Sequence, residues 1–190
     1  MKKLLILFVE GKDDTLFFKH FIEQCFPQYD KFEYIEYAEM PKAKIVQELQ
    51  GTVEEEKDFI FLADFDFRDG NPFNIKDKET ELIKKWNLNA LNGRVYIIVN
   101  EIESWFLAGF DEKFCSGNYQ INRTKIKNCI DTQLVTKEFF QHASTKSHRQ
   151  LMSYLVETRK KKYFNYEKAK ERNKSFARFV EKFELQLPQK

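Results

Sequence analysis

Four short apolar runs punctuate the first half of the chain, and between them the apolar residues switch to helical spacing. Leu4–Val9 (LLILFV) contains no polar residue and stops at Glu10-Gly11, the pattern of a strand buried on both faces. Phe32–Ala38 alternates as a second strand, Phe59–Ala63 is a third, and Arg94–Val99 (RVYIIV) a fourth. Asp14 is placed to cap a helix over Thr15–Phe26, whose Leu16, Phe17, Phe18, Phe21 and Ile22 form a wide apolar face. Lys42–Gln50 after Pro41 and Asp77–Trp86 predict two more helices, while Asp66–Asn74 (DFRDGNPFN) is turn chemistry. The order βαβαβαβ predicts an α/β, three-layer, Rossmann-like fold with a mostly parallel central sheet of about four strands. Beyond Ile102 the strand signals fade. Helices are expected over Ile102–Ala108, Thr136–His142, Ser147–Thr158 and Ser175–Phe183, so residues 1–110 read as the α/β core and 111–190 as a helical, basic C-terminal extension packed on the same domain.

Composition sharpens this picture in two places. Twenty Phe, eight Tyr and two Trp in 190 residues are more aromatic surface than a protein exterior carries, so most of these rings belong in the core, Trp105 among them. The net charge of +2 hides an asymmetry: 53–66 is acidic and 158–178 strongly basic. Cys25, Cys115 and Cys129 show no CxxC or paired-His pattern, and His20, His142 and His148 no ligand spacing, which argues against a disulfide framework and a zinc site. The run KKLLILFV leads straight into EGKDD with no cleavage site, and no stretch reaches the ~20 apolar residues of a membrane helix. A cytoplasmic, non-membrane protein is expected.

The chemistry that stands out is acidic and sits where the strands end. In open parallel sheets, functional groups collect beyond the carboxyl ends of the strands. Glu10 ends the first strand, Asp64 and Asp66 the third, Glu101 and Glu103 follow the fourth, and Asp14 opens the first helix. Carboxylates gathered this closely repel one another unless a cation neutralises them. Mg²⁺ (or Mn²⁺) suits such a site, because it prefers oxygen ligands and takes one or two carboxylates together with substrate phosphate. Asp64 and Asp66 flank one residue, so on a continuing strand both point the same way. Asp14 has the competing role of helix cap, Asp13 is expected in solvent, and Asp69 in DGNP is a turn residue. Ser104 and Ser147 lack a His/Asp relay, and there is no GxxxxGK[ST] phosphate loop.

VEGKDDTLFF resembles the first motif of the Toprim superfamily, in which a Glu-Gly ends the opening strand, and LADFDF resembles its D-x-D motif on a later strand. Asp14, four residues after Glu10, matches the additional Asp of Toprim nucleases of the overcoming-lysogenization-defect type. NEIESWFLA with the helices after it is similar to small bacterial Toprim-like proteins associated with phage defence. The likeness covers about residues 1–110. It implies a Toprim-like fold, with Glu10 as metal ligand or general acid/base, Asp64 and Asp66 as metal ligands and catalytic residues, Asp14 as ligand to a second metal, and Glu103 as a further candidate ligand. Lys12 and Lys146 are the candidates for a lysine at the site.

Two functions then compete. One is a Mg²⁺-dependent nucleic-acid phosphodiesterase, a Toprim-type nuclease acting in phage defence or DNA repair, whose expected substrate, DNA, is gripped by Lys12, Lys146, Arg159, Lys160, Lys161, Lys162 and Arg172. Within the basic segment, Tyr163, Phe164, Tyr166 and Phe176 are positioned in sequence to contact bases, with a solvated helix face as the alternative. The other is a non-catalytic nucleic-acid- or partner-binding subunit working with a separate ATPase. A doubly wound nucleotide-binding protein ranks below both, since the glycine-rich phosphate loop is missing. A homodimer is compatible with either reading.

Overall fold

The computed structural model describes residues 3–65, 74–86, 94–99, 102–110 and 164–188. Its centre is a four-stranded sheet in the order β2-β1-β3-β4, built from β1 (Leu4–Val9), β2 (Lys31–Glu36), β3 (Asp58–Phe65) and β4 (Val95–Val99). Every neighbouring pair is parallel. This is the expected α/β fold.

The sheet grows outward from β1 in both directions, so crossovers of one hand place the first helix on one face and the next two on the other. The side chains follow that division. Leu5, Leu7 and Val9, Ile60 and Leu62, and Tyr96 and Ile98 join one buried cluster; the alternate positions Ile6 and Phe8, Phe59, Phe61 and Ala63, and Val95 and Ile97 join a second. The second face is covered by α2 (Lys42–Glu54) through Ile45 and Leu49 and by α3 (Ile75–Lys85) through Leu82 and the adjoining Trp86. The first is covered by α1 (Lys12–Phe17), α4 (Ile102–Gly109), α5 (Tyr166–Arg172) and α6 (Lys174–Lys182).

The first helix begins earlier than expected. Gly11, not Asp14, is its N-cap, and Asp14 sits in the first turn with its carboxylate accepting the Gly11 N–H at 2.8 Å. A carboxylate there satisfies one of the amides that a helix start leaves without an intrahelical partner. After Phe17 the helix widens into a π-helical turn, Phe18–Ile22, and tightens into a 3₁₀ turn, Glu23–Cys25. The widened turn lets Phe17, Phe18, Phe21 and Ile22 all reach full burial.

The C-terminal helices complete the aromatic core. Phe164 lies against Phe21 with ring centroids 4.9 Å apart, and Phe179 against Tyr96 at 5.0 Å and Trp105 at 5.1 Å. Polar contacts fix their register: the Tyr166 hydroxyl donates to the Phe21 carbonyl at 2.8 Å, the Tyr96 hydroxyl donates to the Ser175 carbonyl, and the buried Asn173 caps α6 through the Phe176 N–H at 2.8 Å while donating to Ser104 Oγ at 3.2 Å. On the outer edge of β4, Ser175 Oγ accepts the Val99 N–H at 3.2 Å and Lys182 Nζ donates to the Val95 carbonyl at 2.8 Å. Pairing groups that an edge strand would expose are thereby occupied.

Candidate functional site

The sheet order reverses at β1 and β3, and in such sheets the crevice beyond the strand ends at the reversal is where ligands bind. β1 and β3 pair only as far as Phe8 and Phe61, whereas β1 stays paired with β2 through Val9–Glu36 and β3 with β4 through Phe65–Val99. The two central strands therefore part just before Glu10 and Asp64. Beyond them lies an open cavity of about 330 Å³, lined by Glu10, Gly11, Lys12, Asp13, Asp14, Glu36, Ala38, Glu39, Asp64 and Ile102.

Three of the carboxylates expected from sequence meet here. Glu10 is exposed at the end of β1, Asp64 is half-buried near the end of β3, and Asp14 is buried at 6% exposure in the first turn of α1. Asp13, expected in solvent, is half-buried and lines the same cavity. Glu36 and Glu39 were not anticipated: they close the cavity from the end of β2 and the turn after it, and Glu36 Oε1 accepts the Thr15 hydroxyl at 2.8 Å. The rule that pointed to Glu10 and Asp64 reaches them too once β2 is seen to end at Glu36 rather than Ala38.

The electrostatic consequence shows on Tyr37. Burial is the first cause pushing its phenol well above the ordinary tyrosine range, and the charges of Asp64, Glu10 and Asp14 push it further the same way. All three carboxylates thus act on one hydroxyl. Among the described residues lining the cavity, Lys12, exposed at the rim, is the one cation against six carboxylates. Two like charges 4 Å apart repel by about 4 kcal/mol at an effective dielectric of about 20, so a crevice of this sign favours a cation.

The donor set is all oxygen and all carboxylate, the chemistry that a hard divalent ion prefers. Among the described residues, no three Asp, Glu, His or Cys side chains converge tightly enough to form a ready-made cage. Asp66 and the side chain of Glu103 lie outside the described residues, as do Lys146, Arg159, Lys160, Lys161 and Lys162 and the helices expected over Thr136–His142 and Ser147–Thr158.

The basic tail departs from its expected role where it is described. Phe164, Tyr166 and Phe176 are 2%, 8% and 0% exposed, so these rings are core and cannot stack on bases. Arg172 is half-buried, donates to the Phe110 carbonyl at 3.3 Å, and is not among the residues lining the acidic cavity. Trp105 is fully buried, as its helical spacing predicted. Cys25 is buried too, and burial pushes its thiol up to about 12, which leaves it unreactive at neutral pH. No helix among the described residues is long and apolar enough to cross a membrane.

No protein-family model, curated protein or solved structure matches the chain.

Proposed function

We propose that this chain is a metal-dependent nucleic-acid phosphodiesterase of the Toprim type. The observation that carries this reading is the crevice at the sheet reversal, where carboxylates from three strand ends and the first turn of α1 open onto one cavity beside Lys12. The sequence motifs VEGKDD and LADFDF that resemble Toprim motifs supply Glu10, Asp14 and Asp64 of that crevice.

Glu10, Asp64 and Asp66 are the residues to hold Mg²⁺ or Mn²⁺, with Asp14 and Glu103 as candidates for a second ion. A bound divalent ion lowers the pKa of water and offsets charge on the phosphodiester. The protein's own groups do the rest. Glu10, exposed on the strand end, would either bind the ion or accept a proton from water. Asp14 holds the β1–α1 turn by its bond to the Gly11 N–H and lines the cavity. Lys12, at the rim, meets the substrate phosphate as a point charge.

A second reading keeps the fold and drops catalysis: a binding subunit that works with a separate ATPase. The chain carries no GxxxxGK[ST] loop of its own, which fits a subunit whose ATP hydrolysis is supplied by another protein. The two separate in a plasmid-nicking assay with Mn²⁺ on the wild type and Asp64→Ala. The nuclease reading expects nicking that falls to background in the variant while its melting temperature stays close to wild type, because Asp64 is half-buried at a strand end. A fully active Asp64→Ala protein refutes it.

A further inference from the structure

Tyr37 occupies the gap that opens between β1 and β3. Its backbone N–H donates to the Val9 carbonyl at 2.9 Å, and the next amide, Ala38 N–H, donates to the Glu10 carbonyl at 3.0 Å, so the chain leaving β2 is fastened to the end of β1. From there the side chain reaches β3. Its hydroxyl donates to the Leu62 carbonyl at 2.7 Å, and its ring stacks on Phe61 at 4.9 Å and 15°.

Leu62 is the first residue of β3 beyond the last β1–β3 pair, Phe8–Phe61, and it lies two residues before Asp64. The phenol therefore takes over as a strand link where the ladder between the two central strands stops. We infer that Tyr37 is a positioning residue for the acidic centre: by tying the end of β1 to the end of β3 it fixes the separation of Glu10 and Asp64. The inference rests on the metal-centre reading above. It adds to that reading a residue that touches neither ion nor substrate.

The chemistry of the contact makes the role specific. A neutral phenol can donate to a carbonyl, and a phenolate cannot. Tyr37 is a neutral donor at neutral pH, and burial with the nearby carboxylates pushes its phenol well above the ordinary tyrosine range. Phenylalanine preserves the ring stack and removes only the bond. Loss of an outer group that orients metal ligands lowers metal affinity by about 10- to 100-fold.

The test is Mn²⁺ titration calorimetry on the full chain, comparing wild type, Tyr37→Phe and Tyr34→Phe. Tyr34 is the control because it lies on β2, the strand that leads into Tyr37, and donates to Glu23 Oε1 at 2.8 Å, away from the cavity. Both variants lose one tyrosine hydrogen bond and a similar amount of stability. The expected result is Mn²⁺ affinity about tenfold weaker in Tyr37→Phe and unchanged in Tyr34→Phe. Unchanged affinity in Tyr37→Phe, against a wild type that binds Mn²⁺, overturns the positioning role and leaves the metal centre standing. Equal losses in both variants also overturn it, since the effect is then general loosening. A wild type that binds no Mn²⁺ overturns both the metal centre and the role.

Discussion

Gly109 lies directly against Phe164 of the C-terminal segment, and adding one methyl group there has a calculable cost. A Cβ at Gly109 lands 2.1 Å from Phe164 Cε2 and 2.4 Å from its Cδ2 and Cζ. Carbon atoms rest about 3.5–4.0 Å apart, so the ring must retreat by roughly 1.5 Å. It has nowhere to go. Phe164 is 2% exposed, with Phe21 at 4.9 Å, Tyr166 at 5.0 Å, Phe110 at 5.5 Å and Phe17 at 5.8 Å between ring centroids. Overpacking of this kind costs about 1–3 kcal/mol, and Ala recovers at most about 1 kcal/mol over Gly in a helix, less at a helix end such as this. Gly109→Ala should therefore destabilise the protein by about 1–2 kcal/mol. For a chain of this length that lowers the melting temperature by about 2–8 °C. Differential scanning calorimetry reads the shift, and adding Phe164→Leu to Gly109→Ala should restore part of it, because the two residues share one space. A Gly109→Ala protein that melts at or above the wild-type temperature refutes the docking of the tail on α4.

Two further outcomes follow from the same structure. Asp14→Ala removes the acceptor for the Gly11 N–H and should cost about 1–2 kcal/mol in the absence of metal, seen as a lower urea midpoint; Asp14→Asn keeps an acceptor and should recover most of it, and equal stability of Ala variant and wild type contradicts the capping role. At alkaline pH, burial raises Tyr29 and Tyr96 to about 12 and Tyr34 and Tyr166 further, while an unfolded tyrosine ionises near 10. Between about pH 10 and 12 the unfolded chain releases protons that the folded chain keeps, so stability must fall as pH rises through that window. A urea midpoint that stays level from pH 8 to pH 11 contradicts this.

The strands were legible because burial on both faces leaves little room for polar residues. Leu4–Val9 is bounded in the structure where the pattern bounded it, and β3 runs longer than Phe59–Ala63 because Asp58 still pairs with β1 and Asp64 and Phe65 still pair with β4. The acidic crevice was half legible. Glu10, Asp14 and Asp64 follow from the strand-end rule, whereas Glu36 and Glu39 were hidden by a strand end set two residues too late. Tyr37 carries no motif, and its role depends on where two strands part, which is a property of register and not of local sequence. The tail was misread for a related reason. Phe164, Tyr166 and Phe176 stand among lysines and arginines, and only the folded chain shows that those rings turn inward while charged neighbours such as Lys174 stay exposed and Arg172 is half-buried. Helix α5, Tyr166–Arg172, was missed because so short a segment shows less than two full turns of apolar period.

The central claim is that the crevice between β1 and β3 holds a divalent cation for phosphodiester chemistry. It is tested most directly by Mn²⁺ titration calorimetry on the wild type and on Asp64→Ala combined with Asp66→Ala, with plasmid nicking measured on the same samples. The wild type should bind Mn²⁺ and nick, and the double variant, still folded by circular dichroism, should do neither. A wild type that binds no Mn²⁺, or a double variant that binds and nicks as well as the wild type, contradicts it.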